Sequence, residues 1–76
     1  MGDVARVTEI TSRSEKSFED AIEQGVKRAT ETLRNVEGAW VKEQKLHIED
    51  GKIKHYQADL LITFVLEPVG ANGGSP

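Results

Sequence analysis

The Asp50-Gly51 pair constrains the fold of this chain more than any other feature of the sequence. Alternating segments flank the pair from Gly38 to Glu67, and an Asp-Gly pair in that setting is the strongest short-range signal for a β-hairpin. The signal is physical, because a type I′ turn needs positive φ at both of its central residues. Centring the turn on this pair predicts which residues of the two strands oppose each other.

The predicted register sorts the hairpin side chains onto two faces. Lys42 lies opposite Asp59, a cross-strand pair of opposite charges worth roughly a few tenths of a kcal/mol. Every even position from Tyr56 to Leu66 is apolar, so the face that carries these side chains should pack against another part of the same chain. The other face, which includes Trp40, mixes large apolar groups with polar ones, as surfaces that meet a partner or ligand do. The predicted pairs are Glu49–Lys52, Ile48–Ile53, Leu46–His55, Gln44–Gln57, Lys42–Asp59 and Trp40–Leu61.

Upstream of the hairpin, β-branched residues interleaved with polar ones predict a strand over Val4 to Thr11. A polar break follows at Thr11 to Ser14, and a helix comes next. The order β-α-β-β predicts an α+β fold in which the apolar face of a three-stranded antiparallel sheet covers one helix. A single helix covers only one face of such a sheet. We expect one domain at residues 1–67 and a flexible, glycine-rich C-terminal tail at residues 68–76.

Apolar residues recurring at intervals of three and four form a single stripe that predicts a helix over Glu15 to Val36. Ser14 is the expected N-cap, with Ser17 as the alternative. Gly38 is expected to end the helix in the left-handed conformation. Gly25 lies inside the stripe, where its missing side chain allows the helix to approach the sheet closely.

Composition excludes several classes of function. The chain has 76 residues, a formal net charge of −3 and no cysteine. The negative charge argues against binding a nucleic-acid backbone, and no apolar run approaches the length of a membrane span. The absence of thiols fits a reducing compartment, so we expect a cytoplasmic protein. Oligomerisation is the remaining means of stabilising so short a chain.

The mixed face of the hairpin has three interpretations. It is a subunit contact and nothing more, or a site for a planar ligand, or a catalytic site. An indole such as Trp40 offers a flat face for stacking, and an amide such as Gln57 both donates to and accepts from a heterocycle edge. The two are not directly opposed, so a joint site would draw them from different subunits. Catalysis is poorly supported, because His47 and His55 fall on opposite faces in this register, and we predict no enzyme and no catalytic residues.

Metal and phosphate sites are also weakly indicated. His47 beside Glu49, or His55 near Asp59, offers metal ligands, but such side chains are more often solvated strand residues, and we predict no metal site. The Glu49-Asp50 pair does not reach the six or more oxygens that calcium prefers. Four basic residues on or near the helix offer a phosphate-binding surface or, as the simpler interpretation, a solvated face: Lys16, Lys27, Arg28 and Arg34.

Several runs follow one another with characteristic spacing over about Ala5 to Glu67: Val7-Thr8-Glu9-Ile10, the Ser14 cap, Ala29 to Arg34, Trp40-Val41-Lys42-Glu43, Tyr56-Gln57 and Phe64-Val65-Leu66-Glu67. Together these runs resemble the dodecins, and the resemblance implies a β-α-β-β fold whose three-stranded antiparallel sheet partly wraps one helix. The resemblance implies a hollow homododecamer that stores, buffers or photoprotects free flavin (FMN, riboflavin or FAD) without turnover. It also implies that flavins stack between tryptophans at a two-fold axis while a glutamine, here Gln57, contacts the isoalloxazine edge.

One departure from the family pattern concerns the tryptophan. Flavin-binding dodecins carry it at the position of Gly38, whereas this chain has its indole at Trp40. Strand alternation keeps the indole on the same face but moves it roughly 6.5 Å along the strand. The cofactor-binding residues expected from the resemblance are therefore Trp40, Gln57 and the Gly38 position. The alternative implied by other dodecins is a shell without flavin, acting as a scaffold or holding calcium or coenzyme A at its interfaces.

Overall fold

The computed structural model describes residues 2–67, so the predicted tail at residues 68–76 lies outside the described residues. Three strands and one helix follow in the order β-α-β-β, which confirms the predicted order and the α+β class. The elements are β1 (Ala5–Ser14), α1 (Phe18–Thr32), β2 (Val36–Glu49) and β3 (Lys52–Val65).

The three strands form one antiparallel sheet in the order β1-β3-β2, with β3 in the centre. Asp50 and Gly51 have φ angles of 55° and 75°, as the predicted turn requires. The polar break predicted at Thr11 to Ser14 is wrong, because β1 runs through Ser14. Each residue of that stretch has a partner on β3, so the ladder holds a segment whose composition alone favours a loop.

Two irregularities make the predicted hairpin register correct at both ends and wrong in the middle. Glu49–Lys52, Ile48–Ile53 and Trp40–Leu61 are confirmed. One extra residue on β3, Lys54, shifts the pairing by one position, and one extra residue on β2, Lys42, shifts it back. The predicted pairs Leu46–His55, Gln44–Gln57 and Lys42–Asp59 are replaced by Leu46–Tyr56, Gln44–Ala58 and Glu43–Asp59.

The ends of the helix also differ from the prediction. Ser17 is the N-cap, because its Oγ accepts a hydrogen bond from the Asp20 backbone N–H at 3.0 Å. Ser14 ends β1 instead, and its hydroxyl donates to Asp20 Oδ2 at 2.5 Å. The helix ends at Thr32, and the residue with positive φ after it is Asn35, at 61°. Gly38 therefore lies inside β2, and its predicted role as the helix stop is wrong.

Small residues let α1 lie close against the sheet. Ala21, Gly25 and Ala29 are its buried residues, and they face a core that includes Leu60 and Ile62. A Cβ atom on Gly25 would lie 2.7 Å from Leu60 Cδ1, which is shorter than van der Waals contact allows. The close approach predicted for this glycine is confirmed.

The hairpin is much longer than the helix that covers it. Fifteen helical residues span about 22 Å, whereas fourteen strand residues span about 46 Å. The described residues accordingly extend 58 Å in their longest dimension and only 19 and 15 Å in the others. Residues 46–55, which we call the distal arm, project beyond the helix with Leu46, Ile48 and Ile53 exposed.

Candidate functional site

The sheet has an open face, the one turned away from α1, and Trp40 lies on it. Trp40 pairs with Leu61 across the strands, and Trp40 is 62% exposed. Glu9, on the neighbouring strand β1, pairs with the same leucine. Lys42 Nζ lies 3.3 Å from Glu9 Oε1. Among residues 2–67, α1 is the single helix, and it packs on the opposite face. The indole is therefore available to a ligand or to another copy of the chain.

The Gly38 position lies on the same face as Trp40, two residues away along β2. Gly38 pairs with Thr63, and Trp40 pairs with Leu61. A Cβ atom built on Gly38 would meet nothing within 4 Å. Either position thus has room for a large side chain, and Trp40 is where this chain supplies one.

Gln57 is held on the open face by two hydrogen bonds. Arg13 Nε donates to Gln57 Oε1 at 3.2 Å, and Gln57 Nε2 donates to Asp59 Oδ1 at 3.1 Å. A primary amide has two N–H donors and two acceptor lone pairs. Within residues 2–67, these bonds use one of each, so one donor and one lone pair of the amide remain for a ligand.

Asp59 orients this amide and is itself nearly buried, at 5% exposure. Thr11 Oγ1 donates to its Oδ1 at 3.1 Å, and Lys45 Nζ lies 3.6 Å from Oδ2. The hydrogen bond from Gln57 is the main cause that holds the pKa of Asp59 below its ordinary value, and the bond from Thr11 and the charge of Lys45 act in the same direction. Asp59 in turn raises the pKa of Lys45. The carboxylate is therefore ionised near neutral pH and accepts from the amide nitrogen of Gln57.

Trp40 and Gln57 share the open face but are not neighbours. Leu61, the partner of Trp40, lies four residues from Gln57 along β3, which is a distance of about 13 Å. One copy of the chain therefore does not bring the indole and the amide onto a single small ligand. A joint site needs these groups from different copies, as we expected from the sequence.

His47 and His55 form a pair that the sequence did not reveal. They oppose each other on β2 and β3, with ring centroids 4.4 Å apart and planes inclined by 15°. The prediction that they occupy opposite faces is wrong, because the extra residue Lys54 realigns the strands. No glycine or proline within the arm strands marks this irregularity, so the sequence offered no signal for it.

His55 is the more enclosed member of the pair. Its Nε2 atom is buried and has no hydrogen-bond partner among the described residues. Desolvation is the main cause that lowers the pKa of His55, and the electrostatic effects of His47, Arg13 and Lys54 add to it against the opposing effect of Glu15. The imidazole of His55 is therefore neutral near pH 7.

The basic residues considered for phosphate binding include two that have acidic neighbours. Arg28 Nε lies 3.7 Å from Glu31 Oε1, and Arg34 forms an exposed ion pair with Glu67 at 3.8 Å. Over residues 2–67, no group of three or more histidine, cysteine, aspartate or glutamate side chains is arranged to hold a metal ion. In the same stretch, no helix is long and apolar enough to cross a membrane.

Comparison with known proteins identifies the family. The family model for Dodecin matches residues 4–67. This chain belongs to the dodecin family. The dodecin of Thermus thermophilus is 37% identical over 67 residues, which cover 88% of this chain and 97% of that protein. The family implies oligomeric assembly.

Solved dodecin structures share the fold. The dodecin of Streptomyces davaonensis matches with a TM-score of 0.83 and 32% identity, over 90% of this chain and all of that one. A calcium-chelating antigen of Mycobacterium tuberculosis, a calcium dodecin with a novel calcium-binding site, matches with a TM-score of 0.74 and 32% identity. That match covers 86% of this chain and 93% of the mycobacterial chain. The predicted family and the predicted β-α-β-β fold, with a three-stranded antiparallel sheet and one helix, are both confirmed.

Proposed function

We propose that this dodecin stores and buffers free flavin without turnover, in a homododecameric shell whose subunit contacts hold the ligand. The observation that carries the proposal is Trp40, the one tryptophan of the chain, which is exposed on a sheet face that the described chain leaves uncovered. An isoalloxazine is a large planar heterocycle, and an exposed indole provides the flat apolar surface on which it stacks.

The Gln57 amide supplies the polar half of the proposed site. Its remaining donor and lone pair suit the edge of an isoalloxazine, which presents both carbonyl oxygens and ring nitrogens. Asp59 and Arg13 hold the amide in one orientation, so binding does not have to immobilise it. Lys45 pairs with Gln57 across the strands and places a positive charge beside this end of the face.

The spacing of these groups supports a site between copies. Trp40 and Gln57 are too far apart to share a ligand within one chain, and a second copy would bring its own indole and amide to the same contact. A two-fold arrangement places identical patches against each other, which is how most homo-oligomeric contacts are built. Flavin bound there would be enclosed by protein from two sides.

A flavin titration tests the proposal. FMN is titrated with tag-free protein while flavin emission is followed, and stacking on indole predicts strong quenching that saturates. Trp40→Ala should abolish the quenching, and Gln57→Ala should weaken binding while leaving quenching at saturation. Unchanged flavin emission at micromolar protein, with the assembly intact, would remove flavin from the proposal.

The two tryptophan positions allow a sharper control. Replacing Trp40 with alanine and Gly38 with tryptophan moves the indole back to the position of the flavin-binding dodecins, where a side chain meets nothing within 4 Å. Restored quenching in this double variant would show that the fold binds flavin through either position. If the Trp40→Ala variant alone still quenches flavin emission fully, flavin binds but does not stack on Trp40.

The alternative function is a shell that binds no flavin and instead serves as a scaffold or holds calcium or coenzyme A at its interfaces. The calcium dodecin among the similar structures favours including calcium in the test. Isothermal titration with CaCl₂ and with coenzyme A, on the same protein preparation, distinguishes these outcomes. Saturable calcium or coenzyme A binding without flavin quenching would favour the alternative.

A further inference from the structure

We propose that the His47–His55 pair is a binding site for a divalent transition-metal ion of the zinc and copper class. The two imidazoles are the protein ligands, and water completes the coordination. The site uses neither Trp40 nor Gln57, so the tests of metal binding and of flavin binding are independent of each other.

The cross-strand placement of the pair suits a two-histidine chelate. Directly opposed residues of antiparallel strands have Cβ atoms about 4.5–5.5 Å apart, which lets both side chains reach one point. Two nitrogens bound to one tetrahedral Zn²⁺ at about 2.0–2.1 Å lie about 3.3 Å from each other. The ring centroids are 4.4 Å apart and the planes nearly parallel, so in this stacked arrangement the in-plane lone pairs of the two rings do not converge. Chelation therefore requires both rings to rotate out of the stack about their side-chain bonds, and the directly opposed backbone positions of His47 and His55 do not have to move for this.

An available lone pair is the second requirement. His55 Nε2 is buried without a hydrogen-bond partner among the described residues, and an unpaired buried polar atom costs free energy. Binding a metal ion satisfies such a nitrogen, since imidazole is the commonest protein ligand for these metals. Metal binding would therefore give the buried His55 Nε2 a partner, a gain that is absent at an exposed histidine already hydrated by water.

The strand irregularity at Lys54 creates the site. Without that extra residue His47 would not oppose His55, and bulges are frequent next to functional sites because they re-aim side chains. The chain contains two histidines, and both meet here. The site lies on the distal arm, where His47 is exposed and His55 is partly buried within one chain.

The surroundings select among metals. Arg13 and Lys54 place positive charge near His55, and Glu15 places negative charge there. Calcium prefers six to eight oxygen ligands, whereas zinc and copper accept imidazole nitrogen readily. The pair therefore favours a borderline transition metal over calcium, and the nearby cations limit its affinity.

Isothermal titration of tag-free assembled protein with ZnCl₂ at pH 7.5 tests the proposal. We expect saturable binding of one ion per chain. Loss of an outer-shell partner alone typically costs about 10–100-fold in metal affinity, so His47→Ala or His55→Ala should each cost at least about tenfold. The double variant should show no saturable binding, and Lys52→Ala, on the same arm, should bind as the unmodified protein does.

Three results would overturn the proposal: no saturable Zn²⁺ binding by the unmodified protein, undiminished binding by the double variant, or one ion per two chains. A measurement on the unmodified protein covers the case in which a histidine variant fails to fold. The electron paramagnetic resonance spectrum of Cu²⁺ bound to it should show coupling to two imidazole nitrogens. Coupling to a single nitrogen, or to none, would contradict the paired site.

Discussion

The base of the hairpin and its distal arm have the same strand geometry but very different surroundings. At the base, Leu60 and Ile62 are fully buried under α1. On the arm, residues of similar size such as Ile48 and Ile53 are 63% and 49% exposed. The base is stabilised within one chain, whereas the arm and the open face carry apolar surface that residues 2–67 leave uncovered. The difference teaches that this sequence specifies a subunit rather than a self-sufficient monomer.

The largest contrast is expected for leucine truncation. Leu60→Ala removes a fully buried side chain and should lower the free energy of unfolding by about 2–5 kcal/mol. Leu46→Ala is the matched change on the arm, where the side chain is 45% exposed, and should cost the isolated subunit far less. Thermal unfolding of both variants is measured at one fixed protein concentration, low enough to dissociate the assembly into single chains. Equal losses would contradict the distinction between base and arm.

The next contrast compares two glycines. Gly25→Val forces a branched side chain against Leu60 and Ser12, and overpacking of this kind costs about 1–3 kcal/mol. Gly38→Val is the control, because its Cβ meets nothing within 4 Å and valine favours strands. Chemical denaturation should show a clear loss for the first and little change for the second. A tolerated valine at Gly25 would mean that α1 lies further from the sheet than described.

Low pH should reduce the stability of the base of the hairpin through the buried carboxylate of Asp59. The folded-state pKa of Asp59 lies below its ordinary value, so its stabilising contribution is complete above the unfolded pKa of about 3.9. Below that pH the unfolded chain takes up the proton first, and the contribution is lost as pH falls through the folded pKa. The melting temperature should therefore decline below about pH 4, and Asp59→Asn should flatten this decline. Glu49→Gln on the arm is the control, and an equal flattening by that variant would argue against the assignment.

The smallest effect concerns the ion pair that crosses the open face. Lys42 Nζ lies 3.3 Å from Glu9 Oε1, and both side chains are about half exposed. Exposed pairs of this kind contribute about 0.2–1 kcal/mol. A double-mutant cycle should find coupling between Lys42 and Glu9 and none between Lys42 and Asp59. Coupling between Lys42 and Asp59 would contradict this register and would support the one predicted for a hairpin without irregularities.

The local signals in the sequence predicted much of the fold. Asp50-Gly51 indicated the turn, the apolar stripe indicated the helix, and both are confirmed. The helix ends were mistaken because two serines compete for the N-cap and because Asn35 adopts the positive φ that was expected of Gly38. Asparagine tolerates that conformation better than most residues, and nothing in the composition decides between the two.

The candidate site was only partly predictable. Trp40 was correctly expected on the open face, because the two irregularities cancel before its position is reached. His47 lies between them, and its partner could not be found by counting from the turn. A one-residue slip moves a strand's side chains to the opposite face, so a register prediction fails wherever an unmarked bulge intervenes.

The central claim is that the uncovered face and arm of each chain are buried by sister copies. Sedimentation-equilibrium measurement of the particle mass at micromolar concentration tests it most directly. We predict a single species of twelve times the 8.4 kDa chain mass. A well-folded particle with the mass of one chain, and with Trp40 fluorescence typical of an indole in water, would contradict the account.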